Sequence, residues 1–229
     1  MNKWEQFKKL AREFHVPVPE TWITFEVFDK EGNLVQKHRQ KGHSWTRNAY
    51  NMLFSQLAMV NANDNTFAAG KLSIKNTGGV VRYGAYPIGL LHNQSTLGTS
   101  YDFRAAAGVT TRGIVVGSGT NAESFEDYVL QTPIANGSDA GQLSYALQEA
   151  YTYSFNAGTK VLTATHIRYI NNNSGNNVDV NEVGAVVYAM VNGHIAYWCN
   201  SRDHLASTVT VPDTSQLKVT YEISLTYPS

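Results

Sequence analysis

Three carboxylates in the C-terminal half, Asp179, Glu182 and Asp203, are the side chains best suited to acid–base chemistry. Two carboxylates on either side of a glycosidic bond can act as a general acid and as a nucleophile or base. No spacing in the sequence sets the separation of any two of these groups. The chain also has no Gly-x-Ser-x-Gly element to present a nucleophilic serine. We therefore expect a protein without enzymatic activity.

His194, Cys199 and His204 have the residue types of zinc ligands. They lie five residues apart, and residues at that spacing on a strand point to opposite faces. Convergence on one metal ion would require a sharp turn between them, for which the segment 200–202 is the candidate. We expect instead a buried, structural Cys199 and no bound metal. His38 and His43 have the same spacing and meet the same objection.

The segment from Gly113 to Ala122 predicts a strand followed by a Gly-x-Gly-x-x-Ala element. In dinucleotide sites such an element leads into a helix whose N-terminus meets the pyrophosphate. Here a short acidic segment follows and Pro133 ends it, and no Gly-Lys-Ser/Thr completes a P-loop. The loop 171–177 lacks the residue order of an EF-hand and is typical of an Asn/Gly turn. We expect no cofactor.

Composition limits the classes of partner. Charged residues make up 16% of the 229-residue chain, and the formal net charge is zero. A neutral chain has no long-range field that attracts nucleic acid or an anionic membrane, and low net charge favours association between copies. The single cysteine excludes an intrachain disulfide, and no apolar run is long enough for a membrane span. The N-terminus lacks the apolar stretch of a signal peptide, so we expect no export by one.

The elements that must position these residues are mainly strands separated by turn residues. Strands are predicted at Trp22–Asp29, Leu34–Gln40, Gly113–Val116, Ser144–Phe155, Lys160–Asn171, Val178–Met190, Ile195–Cys199, Thr208–Val211 and Leu217–Tyr227. Strict alternation is clearest in the last of them. The pattern predicts a mainly β protein, an antiparallel β-sandwich or jelly-roll-like fold with a short N-terminal helical arm and one further helix.

The N-terminal arm carries one apolar stripe. Trp4, Phe7, Leu10 and Phe14 share a face of a predicted helix, which ends before Pro17 and Pro19. A helix this short is marginal alone and needs a surface to pack against. That surface is either its own domain or a neighbouring subunit, and these four residues are our candidate interaction site.

The chain is expected to divide at residues 20 and 112. Residues 1–20 form the arm, residues 21–112 a hairpin, a helix and an irregular region, and residues 113–229 the sandwich. The helix is predicted over Thr46–Val60, with a hydroxyl of Ser44 or Thr46 as its cap. Its candidate buried residues are Trp45, Ala49, Met52, Leu53, Leu57 and Val60.

Tyrosines are frequent on the predicted strands, at positions 151, 153, 169, 188, 197, 221 and 227. Exposed aromatic rings can stack on sugars or form protein interfaces. The plainer interpretation is that they fill a sandwich core and its rim.

Five sequence blocks, taken in order, resemble structural proteins of tailed-bacteriophage virions. They are His43–Asn48 (HSWTRN), Gly113–Ile134 (GIVVGSGTNAESFEDYVLQTPI), Thr165–Tyr188 (THIRYINNNSGNNVDVNEVGAVVY), Ser201–Leu205 (SRDHL) and Val209–Leu225 (VTVPDTSQLKVTYEISL). The resemblance implies an antiparallel β-sandwich of the kind found in tail, fibre, collar and capsid-surface proteins. It brings no catalytic residues with it, and it does not extend to residues 61–112.

These observations lead to one expectation and two alternatives for function. We expect a non-enzymatic structural component of a phage virion, a tail- or fibre-associated adaptor present as a homo-oligomer beside other virion proteins. The first alternative is a capsid decoration protein that cements neighbouring capsomers. The second is a carbohydrate-binding module that recognises a host-surface glycan through exposed aromatic rings.

Overall fold

The computed structural model describes residues 3–58, 73–83, 103–191 and 194–227. Within these ranges the chain forms two helices, α1 (Lys3–Glu13) and α2 (Arg47–Ala58), and strands that pair in antiparallel fashion. The strands are β1 (Pro19–Phe28), β2 (Leu34–Gly42), β3 (Ser73–Lys75), β4 (Val81–Tyr83), β5 (Gly113–Gly117), β6 (Ser144–Tyr145), β7 (Thr152–Asn156), β8 (Val161–Asn171), β9 (Val178–Val191), β10 (His194–Val211) and β11 (Gln216–Thr226). The predicted fold class, mainly β with antiparallel sheets and two helices, is confirmed.

Six strands form the larger sheet, in the order β2-β1-β11-β8-β6, with β7 also paired to β8. Because β11 occupies one edge of β8 over its whole length, β6 and β7 share the other edge. Strand β1 pairs with β11 from Pro19 opposite Leu225 to Phe28 opposite Gln216. The N-terminal hairpin therefore lies in the same sheet as the last strand. The division of the chain at residues 20 and 112 stays a prediction.

The smaller sheet has the order β10-β9-β5, and β3 and β4 form a separate two-stranded ribbon. The core lies between the two main sheets, because alternate residues of each strand point toward the other sheet. Ile23, Phe25 and Val27 of β1 meet the alternate apolar residues of β9 and β10 there, with Trp198 fully buried among them. The predicted alternation of β11 is confirmed at Leu217, Val219 and Tyr221, which are all buried.

Two strand predictions are wrong in extent. The predicted strand Ser144–Phe155 is two short strands, β6 and β7, with irregular backbone between them. The predicted strands Ile195–Cys199 and Thr208–Val211 are one strand, β10, which continues from His194 to Val211 with register shifts after Cys199 and His204. The sharp turn at residues 200–202 that a metal site would need is therefore not formed. The run of polar residues interrupts the apolar pattern of β10, but Arg202 is held within the strand by ion pairs and Asp203 by a hydrogen bond from the backbone of His43. The sequence Val-Asn-Gly-His at 191–194 predicts a turn before the next strand, and its central residues 192–193 lie outside the described residues.

Helix α2 begins at the expected place, but its packing differs in part from the prediction. Ala49 and Met52 are buried, whereas Leu53 is 41% exposed. The hydroxyl of Thr46 donates to the carbonyl of Cys199 at 2.9 Å, so it ties the start of the helix to β10. Val60, the side chain of Leu57 and residues 61–72 and 84–102 of the irregular region lie outside the described residues.

Candidate functional site

Glu182 is the acceptor at the centre of a buried polar cluster. It lies on the face of β9 that points away from the main core, beneath the loop 118–133, and it is fully buried. Oε1 accepts hydrogen bonds from the backbone N–H groups of Gly119 (3.2 Å) and Thr132 (2.7 Å), and Oε2 accepts one from Gln131 (3.0 Å). The carboxylate therefore holds both ends of the loop.

Arg202 supplies the positive charge for this cluster. Its Nε donates to Oε2 of Glu182 at 2.6 Å, and Nη1 donates to Oδ2 of Asp127 at 2.8 Å. The same guanidinium donates to the carbonyls of Asn121 and Ala122. A buried charge is stable only when it is paired and hydrogen-bonded, and both conditions are met here. Both oxygens of Glu182 are buried, and the ion pair fixes the loop on the sheet.

The Gly-x-Gly-x-x-Ala element serves this same carboxylate. It begins at Gly117, the last residue of β5, and continues into the loop, where the backbone is irregular and a dinucleotide site would have a helix. A Cβ atom on Gly119 would lie 2.6 Å from Oε1 of Glu182, and one on Gly117 would be closer still. The glycines thus allow a backbone approach to an anion, and that anion is the side chain of Glu182.

His43 lies between two further acidic groups beside the cluster. Its Nε2 is 2.6 Å from Oε1 of Glu123, and its backbone N–H donates to Oδ1 of Asp203 at 2.9 Å. Burial raises the pKa of Asp203. Burial alone would lower the pKa of His43, but the carbonyl of Lys41 and the two carboxylates outweigh it and raise that pKa. A half-exposed histidine in this setting can exchange protons with solvent.

The structure separates the other candidates for chemistry. Asp179 is exposed and its Oδ1 accepts a hydrogen bond from the hydroxyl of Thr210 at 2.6 Å. Cys199 is fully buried, and burial raises the pKa of its thiol. Histidine, cysteine and carboxylate groups do not gather in threes in a metal-binding arrangement anywhere in the described ranges. His194 lies opposite Val191 and Cys199 opposite Val186, so these two residues are on opposite faces of β10, as their spacing predicted. The register shift after Cys199 then puts His204, opposite Glu182, on the same face as Cys199, which the spacing did not predict.

A second buried cation was not identified from the sequence. Arg168 of β8 is fully buried in the core face of the larger sheet. Its guanidinium donates to five backbone carbonyls, those of Ala106, Val109, Arg112, Ile114 and Ala146, and it lies 4.7 Å from the ring centroid of Tyr145. Burial lowers its pKa to about 10. The alternation in β8 gave no signal, because the inward residues His166 and Arg168 are polar whereas the outward residues Ile167 and Tyr169 are largely apolar.

The larger sheet extends beyond the smaller one at one end. Two rows of side chains continue its core-facing surface there, Tyr153–Ala164–Ile223 and Phe155–Leu162–Leu225. Burial falls abruptly along this surface: Tyr221 in the next row is 1% exposed, whereas Tyr153 is 72% and Phe155 is 52% exposed. Tyr151 and Tyr227 flank the rows, with Tyr227 5.6 Å from Phe155 between ring centroids. We call these residues (Tyr151, Tyr153, Phe155, Leu162, Ile223, Leu225 and Tyr227) the aromatic face.

Helix α1, the predicted interaction arm, lies near the start of β1. Ala11 is buried, and Lys8 is 3.2 Å from Glu20. Three residues of the apolar stripe are largely exposed: Phe7 by 47%, Leu10 by 51% and Phe14 by 74%. The side chain of Trp4 lies outside the described residues. The assignment of this stripe as an interaction site stays a prediction.

An open cleft of about 520 Å³ lies at the opposite end of the larger sheet. The half-buried rings of Phe28 and Tyr169 line it together with polar groups that include Asn171, Asn173 and Gln216. Gln216 donates to Oδ1 of Asn171 at 2.8 Å, which fixes both amides at its wall.

Comparisons with known proteins identify no relative: the chain matches no family model, no curated protein and no solved structure. Across the described residues, neither helix has the length and apolar character needed to cross a membrane.

Proposed function

We propose that this protein is a non-enzymatic structural component of a tailed-phage virion. It acts as a tail- or fibre-associated adaptor, and several copies of it assemble with one another and with other virion proteins. The ordered sequence blocks support the class of particle. The aromatic face supports an assembly role, and it is the observation that carries the proposal.

The size of the aromatic face supports a contact role. Its four rings expose roughly 400 Å² in total, taking about 200 Å² for each aromatic side chain. Patches of this size are the largest that ordinary monomers leave open, and they often mark interaction sites. The sheet beneath is rigid, because β8 and β11 pair along their whole length. A partner would therefore meet a preformed apolar surface.

The test asks whether the chain is present in purified phage particles, and whether it is still present after substitutions that remove the aromatic face. The wild-type chain should be found in particles, and the variant Tyr153→Ser/Phe155→Ser should fold but be lost from them. The matched control is Leu34→Ser/Val35→Ser, which removes two residues that are 49% and 54% exposed at the other edge of the same sheet. Particles without the wild-type chain would refute the proposal, as would full incorporation of the aromatic variant.

Particles made after deletion of the gene show where in the virion the protein acts. Intact heads without tails or fibres are expected for an adaptor. Fragile filled heads with normal tails would instead indicate the capsid decoration alternative.

Saccharide binding is a second candidate function, supported by the cleft at Phe28 and Tyr169. Sugars bind where an aromatic ring lies beside fixed amide groups, and the cleft has both. A glycan array should then report a ligand whose binding is lost in Tyr169→Ala and retained in Tyr153→Ala. Equal loss in both variants, or no ligand, would count against this candidate.

A further inference from the structure

The two edges of the larger sheet differ in how they are protected. One edge is β2, which presents Lys37, Arg39 and Lys41, with a register shift in its pairing to β1 after Val27. The other edge includes β7, Thr-Tyr-Ser-Phe-Asn, which has no charged residue and no proline and is exposed at all five positions. Among the described residues β7 pairs only with β8.

An unprotected edge strand is a template for another strand. Its outward N–H and C=O groups lack ladder partners, and proteins usually guard such edges with lysine, proline or bulges. Strand β2 has such guards and β7 has none. We propose that β7 pairs in antiparallel fashion with β7 of a second copy of this chain, across a two-fold axis at Ser154. This rests on the proposed assembly function and names its partner and its surface.

The sequence of β7 suits a pairing with itself. With Ser154 on the axis, Tyr153 lies opposite Phe155 of the second copy, and Thr152 lies opposite Asn156. Both aromatic pairs lie on the core-facing side, because Tyr153 and Phe155 share that side within one copy. Aromatic cross-strand pairs stabilise antiparallel sheets, and the joint brings no like charges together. The same operation on β2 would bring basic side chains into opposition.

The available area predicts a weak pair. Two aromatic faces offer roughly 800 Å² of ring surface at most, and a specific interface needs about 1,000 Å² in total. Backbone pairing along five residues adds to this only modestly. The dimer should therefore depend on protein concentration, and the many copies of an assembly would strengthen it.

Disulfide trapping tests the geometry directly. Ser154→Cys places two thiols on the axis, where paired strands hold Cα atoms about 4.5 to 5.5 Å apart, within disulfide range. The native Cys199 is fully buried and does not compete. Under mild oxidation the purified full-length Ser154→Cys chain should form a disulfide dimer, faster at higher concentration. The control Val35→Cys, exposed on β2, should not.

A charge swap separates pairing from damage to the fold. Ser154→Lys and Ser154→Glu should each be monomeric with an unchanged circular dichroism spectrum, and mixing them should restore the dimer. A mixture that stays monomeric overturns the proposal. A Ser154→Cys variant that forms the disulfide dimer no faster than Val35→Cys also overturns the proposal. In that case a disulfide between Phe14→Cys of one copy and Tyr153→Cys of another would show that the N-terminal arm, and not β7, covers the aromatic face.

The outcomes distinguish this inference from the proposed function. If the chain is found in particles but its Ser154→Cys variant forms no disulfide dimer in particles or in solution, the strand pairing is overturned and the virion role stands. A trapped dimer of a chain absent from particles supports the pairing and refutes the virion role.

Discussion

Replacing Glu182 by glutamine should destabilise the fold by about 4 kcal/mol. Glutamine keeps the shape of the side chain but turns one oxygen into an NH₂ group. Each oxygen of Glu182 accepts two hydrogen bonds. In either orientation of the glutamine amide, its NH₂ group would therefore face two N–H donors. A buried donor left without an acceptor costs about 1–3 kcal/mol, and breaking a buried ion pair costs about 3–5 kcal/mol.

Equilibrium unfolding in urea measures this cost. A slope of about 2 to 3 kcal/mol per molar urea would convert it into a midpoint lower by roughly 1.3 to 2 M. The matched control is Glu222→Gln, because Glu222 also pairs with an arginine, Arg39, at 3.3 Å but on the exposed face of the sheet. Its loss should cost less than about 1 kcal/mol.

A double-mutant cycle then separates the ion pair from the backbone contacts. Arg202→Met removes the guanidinium, and the double variant with Glu182→Gln should be more stable than the sum of the single costs predicts. An effect of Glu182→Gln below about 1 kcal/mol would refute the view that this carboxylate holds the loop 118–133 on the sheet. Strict additivity in the cycle would show that the arginine acts independently of it.

Three further predictions concern buried groups. Burial lowers the pKa of His166 to about 4, so between pH 6.5 and 4 the unfolded chain binds a proton that the folded chain does not. The free energy of unfolding should therefore fall by about 3 kcal/mol as the pH is lowered over that range. The urea midpoint of His166→Asn should depend less on pH than that of the wild type. Gly119→Ala should lower the urea midpoint by the equivalent of about 2 kcal/mol, since its Cβ would lie 2.6 Å from Oε1 of Glu182. The control Gly158→Ala, in an exposed turn, should change it little. Cys199, which is fully buried with a raised pKa, should react with a thiol reagent only as fast as the chain unfolds; rapid labelling of the native protein would contradict its burial.

The strands were predictable because their signals are local. Alternation of apolar and polar residues identified β1 and β11. The sequence Asn-Ala-Gly-Thr at 156–159 is typical of a hairpin turn, and it identified the hairpin of β7 and β8. A period of two follows from strand geometry alone, whatever the strand pairs with. The extent of β10 was not predictable in the same way, because its polar middle is stabilised by residues distant in the sequence.

The polar cluster could not be located from the sequence, for the same reason. Glu182 meets Gly119 across 63 residues, and Arg202 meets Asp127 across 75. A local pattern carries no information about such contacts. Two features still pointed to it: a pair of glycines at the end of a buried strand, and an Arg-Asp pair in the polar middle of β10. Glycines at such a position indicate that another group packs closely against the backbone, and here that group is the carboxylate of Glu182.

The distribution of charge and aromatic surface favours a contact role for the open end of the sheet. Folding stability alone would favour the reverse arrangement, with rings inside and ions outside, because a buried ion pair often stabilises less than apolar groups of the same volume. This chain buries Arg168, Glu182 and Arg202, and leaves Tyr153 and Phe155 more than half exposed. The buried ions lie where loops must be fixed to the sheets. The exposed rings lie on and beside β7, an edge strand without a guarding charge. Exposed rings and an unguarded edge at the same place are a liability for a monomer, and they become an interface once a second strand covers them.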